Sequence, residues 1–511
     1  MAVPVFVSTL LLLGLTAIDP FGAPSTALRF EPIVALIVLV ASVQRGWIWC
    51  ALLGATLLVF RVFALAEQSC RHYLHRPLEL VNDIQLLPDL KLLLQDTGGH
   101  RTVSALAISL FGCWLLCLGA LRIVSRRPRA VLLAIGFSLG LSASVGGFAP
   151  LSTRLVDELD GWRDPSQIEN RIDIEFFEAE RQVESISPDS WRRRDVHLIL
   201  VESYGRIVFD HPELSEFRST VLPSFEDTLN DVGLVVASGW YRSPTFGGRS
   251  WLAHASIDSG AQITGTMRYE RLLSSQLTPI AERFARAGYA TTTVAPGITM
   301  PWPEGDYFGY HRKLYFDDIG YPGPRFGWAT VPDQWLFEHV TPLIERDHQP
   351  SFVQWHLVST HAPFATHAPL VPRAQLSKTD PYRNVEPVRF SIQWPYLDDA
   401  HRGYAWAMTY EFDVLAEVLP RLLAEGGIAV VIGDHQPNGA LTQKDAPWHV
   451  PCHVVVGEPD DLKLWRGFRE GMFPAPNASA PPLAQLHRDL LKSETALKPE
   501  PQRGLDDLLG P

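Results

Sequence analysis

Two apolar stretches constrain this chain more than any other feature: Val103–Leu121 and Ala130–Phe148. Each is long enough to cross a hydrocarbon core of ~30 Å as a helix rising 1.5 Å per residue. The segment joining them, Arg122-Ile-Val-Ser-Arg126-Arg127-Pro-Arg129, holds four arginines and no acid. Arginine-rich short loops stay in the cytoplasm, so this hinge predicts a cytoplasmic loop. Three further apolar stretches precede the pair: residues 1–18, Phe30–Val43 and Gly46–Ala66, the last interrupted by Arg61. The first has no Lys or Arg ahead of it, as a secretory signal would, and reads as a retained span. The second and third are short for a crossing, with buried or re-entrant helices as the alternative, and Arg61 can snorkel at a membrane face. Five spans predict a cytoplasmic amino terminus, an outer loop over residues 70–102, and an outer location for everything after Phe148. That is a multi-pass protein of a bacterial-type cytoplasmic membrane.

Composition narrows the function. The 511 residues carry a net charge of −12, so no overall basic field exists to gather nucleic-acid phosphates. Five cysteines, three of them (Cys50, Cys113, Cys117) inside apolar stretches, exclude a disulfide scaffold, and a Cys70–Cys452 bridge has no support. Neither G-x-x-x-x-G-K-[ST] nor G-x-G-x-x-G occurs, which argues against a nucleotide-binding loop.

After a charged connector over 151–195 the pattern changes. Short β-branched runs, Val196–Val201, Leu234–Ala237, Ala290–Val294, Phe352–Val358 and Ile428–Ile432, are separated by helical stretches such as Thr278–Ala287 and Tyr404–Leu423. Strands that are almost continuously apolar and alternate with helices predict an α/β domain over 196–470 with a mostly parallel central sheet. The tail, 471–511, is Pro- and Ala-rich with one helical piece near Leu483–Leu491, and Asn477-Ala-Ser479 fits the glycosylation tripeptide only weakly.

In such a sheet chemistry is expected at the carboxyl ends of the strands. The first run ends in Glu202 and the last in Gly433-Asp434-His435. Oxygen and imidazole ligands converging there suit Zn²⁺ or Mn²⁺, with Mg²⁺ a further option. Taken singly, Glu202 reads more readily as a helix cap or surface charge, and Asp434-His435 as a turn. Thr245-Phe-Gly-Gly-Arg-Ser250 is a turn leading into a helix, where a hydroxyl lies near unpaired N–H groups suited to an anion, although Ser250 also makes a plain N-cap and Thr245 a plain turn residue. His361, in Thr360-His-Ala-Pro-Phe364, leaves the fourth run placed to contact a phosphoryl oxygen or protonate a leaving alkoxide. His449 and His453 are weaker candidates, with a structural role ahead.

The ordered set of strand-end Glu, hydroxyl before a helix, Thr-His-Ala-Pro-Phe and Gly-Asp-His resembles the alkaline phosphatase superfamily, and within it the membrane-anchored sulfatase-like branch of lipoteichoic acid synthases and phosphoethanolamine transferases. The resemblance covers Val196–Val456, and the five-span region is similar to the lipoteichoic acid synthase architecture. It implies that Glu202, Asp434 and His435, with the nucleophile Ser250, are ligands of one divalent metal and that His361 contacts the transferred group. Ser250, ten residues before Gly260, fits the family's nucleophile spacing, with Thr245 in reserve. Ser250-Trp-Leu-Ala-His254 lacks the Pro and Arg of the sulfatase C/S-x-P-x-R pattern, which argues against formylglycine. Where lipoteichoic acid synthases have Trp-x-Arg, this chain reads Trp302-Pro-Glu304, so Arg312 or Lys313 is expected to supply the positive charge, with Trp302 and His449 also facing substrate. The function implied is transfer of a phospholipid-derived phospho-head group to a lipid or glycan acceptor through a covalent Ser/Thr intermediate. Its rivals are a phosphodiesterase or sulfatase-type hydrolase on the same scaffold, and a binding domain that has lost catalysis.

Overall fold

Val196–Val201 (β1) is buried at all six positions, the signature of a strand covered on both faces. In the computed structural model it lies inside an eight-stranded sheet of order β10-β2-β9-β8-β1-β5-β3-β4. The other strands are Val235–Arg242 (β2), Ala290–Ala295 (β3), Arg312–Tyr315 (β4), Ser351–Leu357 (β5), Ile428–Gly433 (β8), His449–Val456 (β9) and Arg469–Glu470 (β10), while Thr366–His367 (β6) and Val388–Arg389 (β7) form a separate ribbon. The run β8-β1-β5-β3-β4 is parallel, and β9, β2 and β10 continue it in antiparallel fashion. A mostly parallel α/β sheet is therefore what the chain builds.

The structure describes residues 165–491 apart from 184–190, 192–193, 345–348, 379, 393–398 and 444, together with scattered positions between 66 and 83. The five expected spans, Ala66 excepted, and the end of the tail lie outside the described residues. Among the described residues no helix is long and apolar enough to cross a membrane. The chain divides into two units, Met1–Ile168 and Glu169–Pro511. In the first, Arg71 pairs with Glu67 at 2.6 Å and Arg76 pairs with Asp83. Cys70 and Cys452 are both free thiols.

Seven helices matter here: Pro165–Val183 (α1), which begins in the first unit, and, within the second, Leu222–Asp231 (α2), Ser250–Ser259 (α3), Ile280–Arg286 (α4), Asp333–Ile344 (α5), Ala400–Leu422 (α6) and Gln485–Leu491 (α7). Residues alternate between the two faces of a strand. Ile199 and Val201 of β1, with Val353, Trp355 and Leu357 of β5, pack among apolar residues of α2, α5 and α6. Phe352 of β5 points the other way and stacks on Phe284 of α4, ring centroids 4.1 Å apart. The helix expected near 483–491 is α7. It closes the domain: Leu486, Leu490 and Leu491 are buried, and the Trp191 indole donates to the Leu490 carbonyl at 2.7 Å.

Parallel strands here end together, since Val201 stands opposite Leu357 and Gly433. Two glycines make that close approach work. A Cβ at Gly433 would overlap the Tyr204 carbonyl, and one at Gly205 would overlap Gln436, so the ends of β1 and β8 interlock backbone against backbone.

Candidate metal centre and nucleophile helix

Because β1 and β8 are neighbours in register, the residues that follow them emerge side by side. Glu202, Asp434 and His435 each offer a ligand-type atom within 4.8 Å of the others, all three buried. His435 Nε2 lies 3.1 Å from Glu202 Oε1 and 3.9 Å from Asp434 Oδ2. The backbone arranges these groups. Asp434 Oδ1 accepts from the N–H groups of Ser203 at 2.8 Å and His435 at 2.6 Å, which leaves Oδ2 free to point away. His435 Nδ1 is 2.7 Å from the Gln436 carbonyl, so it carries the proton and Nε2 presents a lone pair. Asp434 Oδ2 and His435 Nε2 are buried without a hydrogen-bond partner. Buried polar atoms are ordinarily satisfied, and an oxygen and a nitrogen orphaned on either side of a carboxylate are the donor set a divalent cation takes. The residues present fit a metal.

Electrostatics agree. Burial pushes the Asp434 carboxyl up, and the Glu202 charge adds to it. Burial would raise Glu202 too, but His435 at its side outweighs it and holds the carboxyl well below its usual range. His435, against the pull of burial, is raised to about 9 by the two carboxylates. A cation held there would take the place of the proton that the two carboxylates draw onto His435.

The candidate nucleophiles are fastened to this cluster by the turn that precedes α3. Ser243 Oγ donates to the Asp434 carbonyl at 2.6 Å, and Gly247 N donates to the Gln436 carbonyl at 3.0 Å. Gly247, Gly248 and Arg249 all have positive φ (70°, 144° and 59°), which throws Ser250 to the first position of α3. For Arg249 that conformation costs roughly 1–2 kcal/mol, a local strain that the anchored turn over-determines. Thr245 is buried and its hydroxyl is engaged with the Gly248 carbonyl. Ser250 is half-buried at the helix start, and one turn on, His254 Nε2 lies 3.6 Å from Asp434 Oδ2. Residues four apart share a helix face, so the face carrying Ser250 is turned to the cluster.

His361 approaches from β5. Thr360 donates to the Glu202 carbonyl at 2.7 Å, His361 Nδ1 is 2.6 Å from the Ala362 carbonyl, and its ring stacks on Trp328 with centroids 5.4 Å apart. Its charge is among the influences lowering Glu202, which puts it within electrostatic reach. His449 opens β9 at the same end of the sheet, with Nδ1 3.3 Å from Arg206.

Arg312 is not brought there. Arg312 is opposite Thr292, itself opposite Val353, four residues short of the strand ends or ~13 Å along the sheet. Its guanidinium donates to Leu343, near the carboxyl end of α5, at 2.9 Å. Lys313 is paired with Asp306, and Trp302 stacks on Phe308. The expected positive charge near substrate is therefore not placed by Arg312. Two histidines that residue-by-residue reading passed over do reach the site: His254, and His356 on β5, whose Nδ1 is 3.1 Å from His254 Nδ1. The i+4 spacing from Ser250 was the available signal for His254. His356 had none, because a histidine within an apolar strand looks like core.

Residues 258–472 match the sulfatase family. Over that segment the chain is similar to sulfatases. The matched segment contains His361, Asp434, His435 and His449; Glu202 and Ser250 precede it. No curated protein matches the chain in sequence. Solved structures similar to the sulfatase-like domain include the lipoteichoic acid synthase LtaP from Listeria monocytogenes, 14% identical over 54% of this chain and 70% of that one with a TM-score of 0.38. The C-terminal periplasmic domain of EcEptC from Escherichia coli, in complex with Zn, is 16% identical over 58% and 82%, TM-score 0.38. The Streptococcus pyogenes phosphoglycerol transferase GacH, in complex with sn-glycerol-1-phosphate, is 13% identical over 57% and 75%, TM-score 0.36.

Proposed function

We propose that this protein is a metal-dependent transferase that moves a phospholipid-derived phospho-head group, of the phosphoglycerol or phosphoethanolamine type, to a lipid or glycan acceptor. One observation carries the reading: two buried ligand atoms, Asp434 Oδ2 and His435 Nε2, stand orphaned beside the helix face that begins with Ser250. Glu202, Asp434 and His435, with the Ser250 hydroxyl, would hold one divalent cation, Zn²⁺ or Mn²⁺ with Mg²⁺ also suited, which supplies Lewis acidity and a lowered hydroxyl pKa.

Ser250 then attacks phosphorus and displaces diacylglycerol, forming the Ser250–phosphate ester bond as the P–O bond to the lipid breaks. N–H groups at the amino end of α3 would receive the phosphoryl oxygens. His361, with Nδ1 engaged by a carbonyl, has Nε2 to deliver a proton to the departing alkoxide, and in the second half takes one from the acceptor hydroxyl. His449 and Arg206 border the same end of the sheet and would meet the head group, whereas Thr245, its hydroxyl committed to the turn, would support the loop. The apolar stretches before residue 149 would hold the chain in the cytoplasmic membrane with this domain outside, where a lipid donor is presented directly.

The test is incubation of the purified full chain, in bilayer vesicles containing phospholipid labelled in the head group, with and without candidate acceptors. Label passing to an acceptor, with diacylglycerol released in equal amount, is the expected outcome. Release of free head group alone would make the protein a hydrolase, and no release under any metal would leave the reading without an activity.

A further inference from the structure

A second pair of buried acids lies outside the metal centre. Asp333, the first residue of α5, and Glu411, mid-way along α6, are both 0% exposed. Asp333 is well supplied with donors: Val358 N at 3.1 Å and Ser359 N at 2.7 Å reach its carboxylate, while its own N–H donates to Ser359 Oγ at 3.0 Å. Glu411 has none, since neither carboxyl oxygen meets a hydrogen-bond donor. Its neighbour is the Asp333 carboxylate, in side-chain contact with it. The other titratable groups facing the pair are Tyr382 and Tyr410, both pushed upward by burial and therefore neutral.

Two touching carboxylates sealed from water cannot both ionise, because a lone buried carboxylate costs several kcal/mol and like charges add to it. The proton belongs on Glu411, as Asp333 is the one whose charge the Val358 and Ser359 N–H groups satisfy. Burial and the Asp333 charge accordingly hold the Glu411 carboxyl well above its usual range. What Asp333 holds is the turn after β5. From that turn Thr360 bonds the Glu202 carbonyl at 2.7 Å and His361 N bonds Val358 O at 3.1 Å.

We propose that Glu411 is a positioning residue: it retains its proton and donates it to Asp333, fixing the carboxylate that clamps the Val358–Ser359 turn and so placing His361 and the Glu202 backbone. The inference rests on the proposed role of His361, and its test separates the two. The full chain is assayed with bis(4-nitrophenyl) phosphate, which needs the site but not the lipid donor, alongside labelled phospholipid. Glu411→Gln keeps a donor facing Asp333 and should retain turnover within about twofold at neutral pH, while Glu411→Met removes the donor and should lose about tenfold or more. The wild type should lose turnover reversibly as alkaline pH strips the shared proton, and Glu411→Gln should move that loss to higher pH. In infrared difference spectra at neutral pH, wild type minus Glu411→Gln should contain the carbonyl band of a protonated carboxylic acid. Should the variants fail to fold, the wild-type band must itself vanish over the pH range in which turnover falls. Absence of the band overturns the shared proton, and an alkaline limb unmoved by Glu411→Gln overturns the positioning role. Nitrophenyl turnover without lipid turnover would remove the lipid reading and leave this one standing, and turnover of neither overturns both.

Discussion

His435 and His453 are equally buried, on or beside adjacent strands, and their protons behave in opposite ways. His435 is raised to about 9 by Asp434 and Glu202, and its Nε2 has no hydrogen-bond partner. His453, on β9, is lowered to about 3 by burial alone, with Nε2 2.9 Å from the Tyr204 hydroxyl and Nδ1 2.6 Å from Ser238 Oγ. One is a polar group left open among charges, the other a closed neutral network two residues along the chain from Glu202. The contrast teaches that burial does not mark function; an unanswered lone pair beside compensating charge does.

The comparison breaks first at the open end. Ser250→Ala should reduce head-group release by ~10³-fold or more, since a removed nucleophile typically costs that much. Mass spectrometry of a trapped intermediate should place phosphate on the peptide carrying Ser250; fragment ions locating it on Thr245 would move the nucleophile and leave the metal centre standing. Next come the ligands. Glu202→Ala, Asp434→Ala and His435→Ala should each strip most bound metal from the purified chain, whereas His453→Gln should retain it. Full occupancy in any two of the first three would place the ion elsewhere.

The closed network has its own signature in acid. His453 has a folded-state pKa below its ordinary 6.5, so its contribution to stability is complete above pH 6.5 and is lost as pH falls towards about 3. At 1.36 kcal/mol per unit the full loss approaches ~5 kcal/mol, an upper bound. Thermal unfolding followed from pH 7 to pH 4 should therefore steepen in the wild type and flatten in His453→Gln; parallel curves would mean that other groups carry the acid sensitivity. The smallest effects belong to Thr245 and Arg312. Thr245→Ala should lower turnover a few-fold through a loosened turn, and Arg312→Ala should leave KM unchanged within about twofold. A large rise in KM for Arg312→Ala would contradict its position beside Leu343.

What the sequence disclosed follows from locality. β1 and β8 are continuous β-branched runs, so their ends, and the residues Glu202, Asp434 and His435 that leave them, could be located by inspection. β9 was hidden by Pro451, and the true length of β2 by Ser238 and Gly239, which sit in a strand only because His453 and the Phe468 ring wait across from them. The position of Arg312 is hidden for the same reason. Its height in the sheet is set by pairing with β3, and β3 by β5, neither of which is visible in a linear motif. His254 and His356 meet through a helix–strand contact spanning some hundred residues.

The interlocked glycines at the ends of β1 and β8 carry a consequence for how such a centre can diverge. With the Gly433 Cα pressed on the Tyr204 carbonyl and Gly205 on Gln436, the gap between the two ligand-bearing chain ends is a main-chain dimension, like the jaw of a fixed spanner. Substitution of the ligand side chains cannot widen or narrow it. Preference among ions in descendants of this scaffold must then drift by exchange of donor atoms at Glu202, Asp434 and His435, and even alanine at Gly433 or Gly205 would pry the jaw apart.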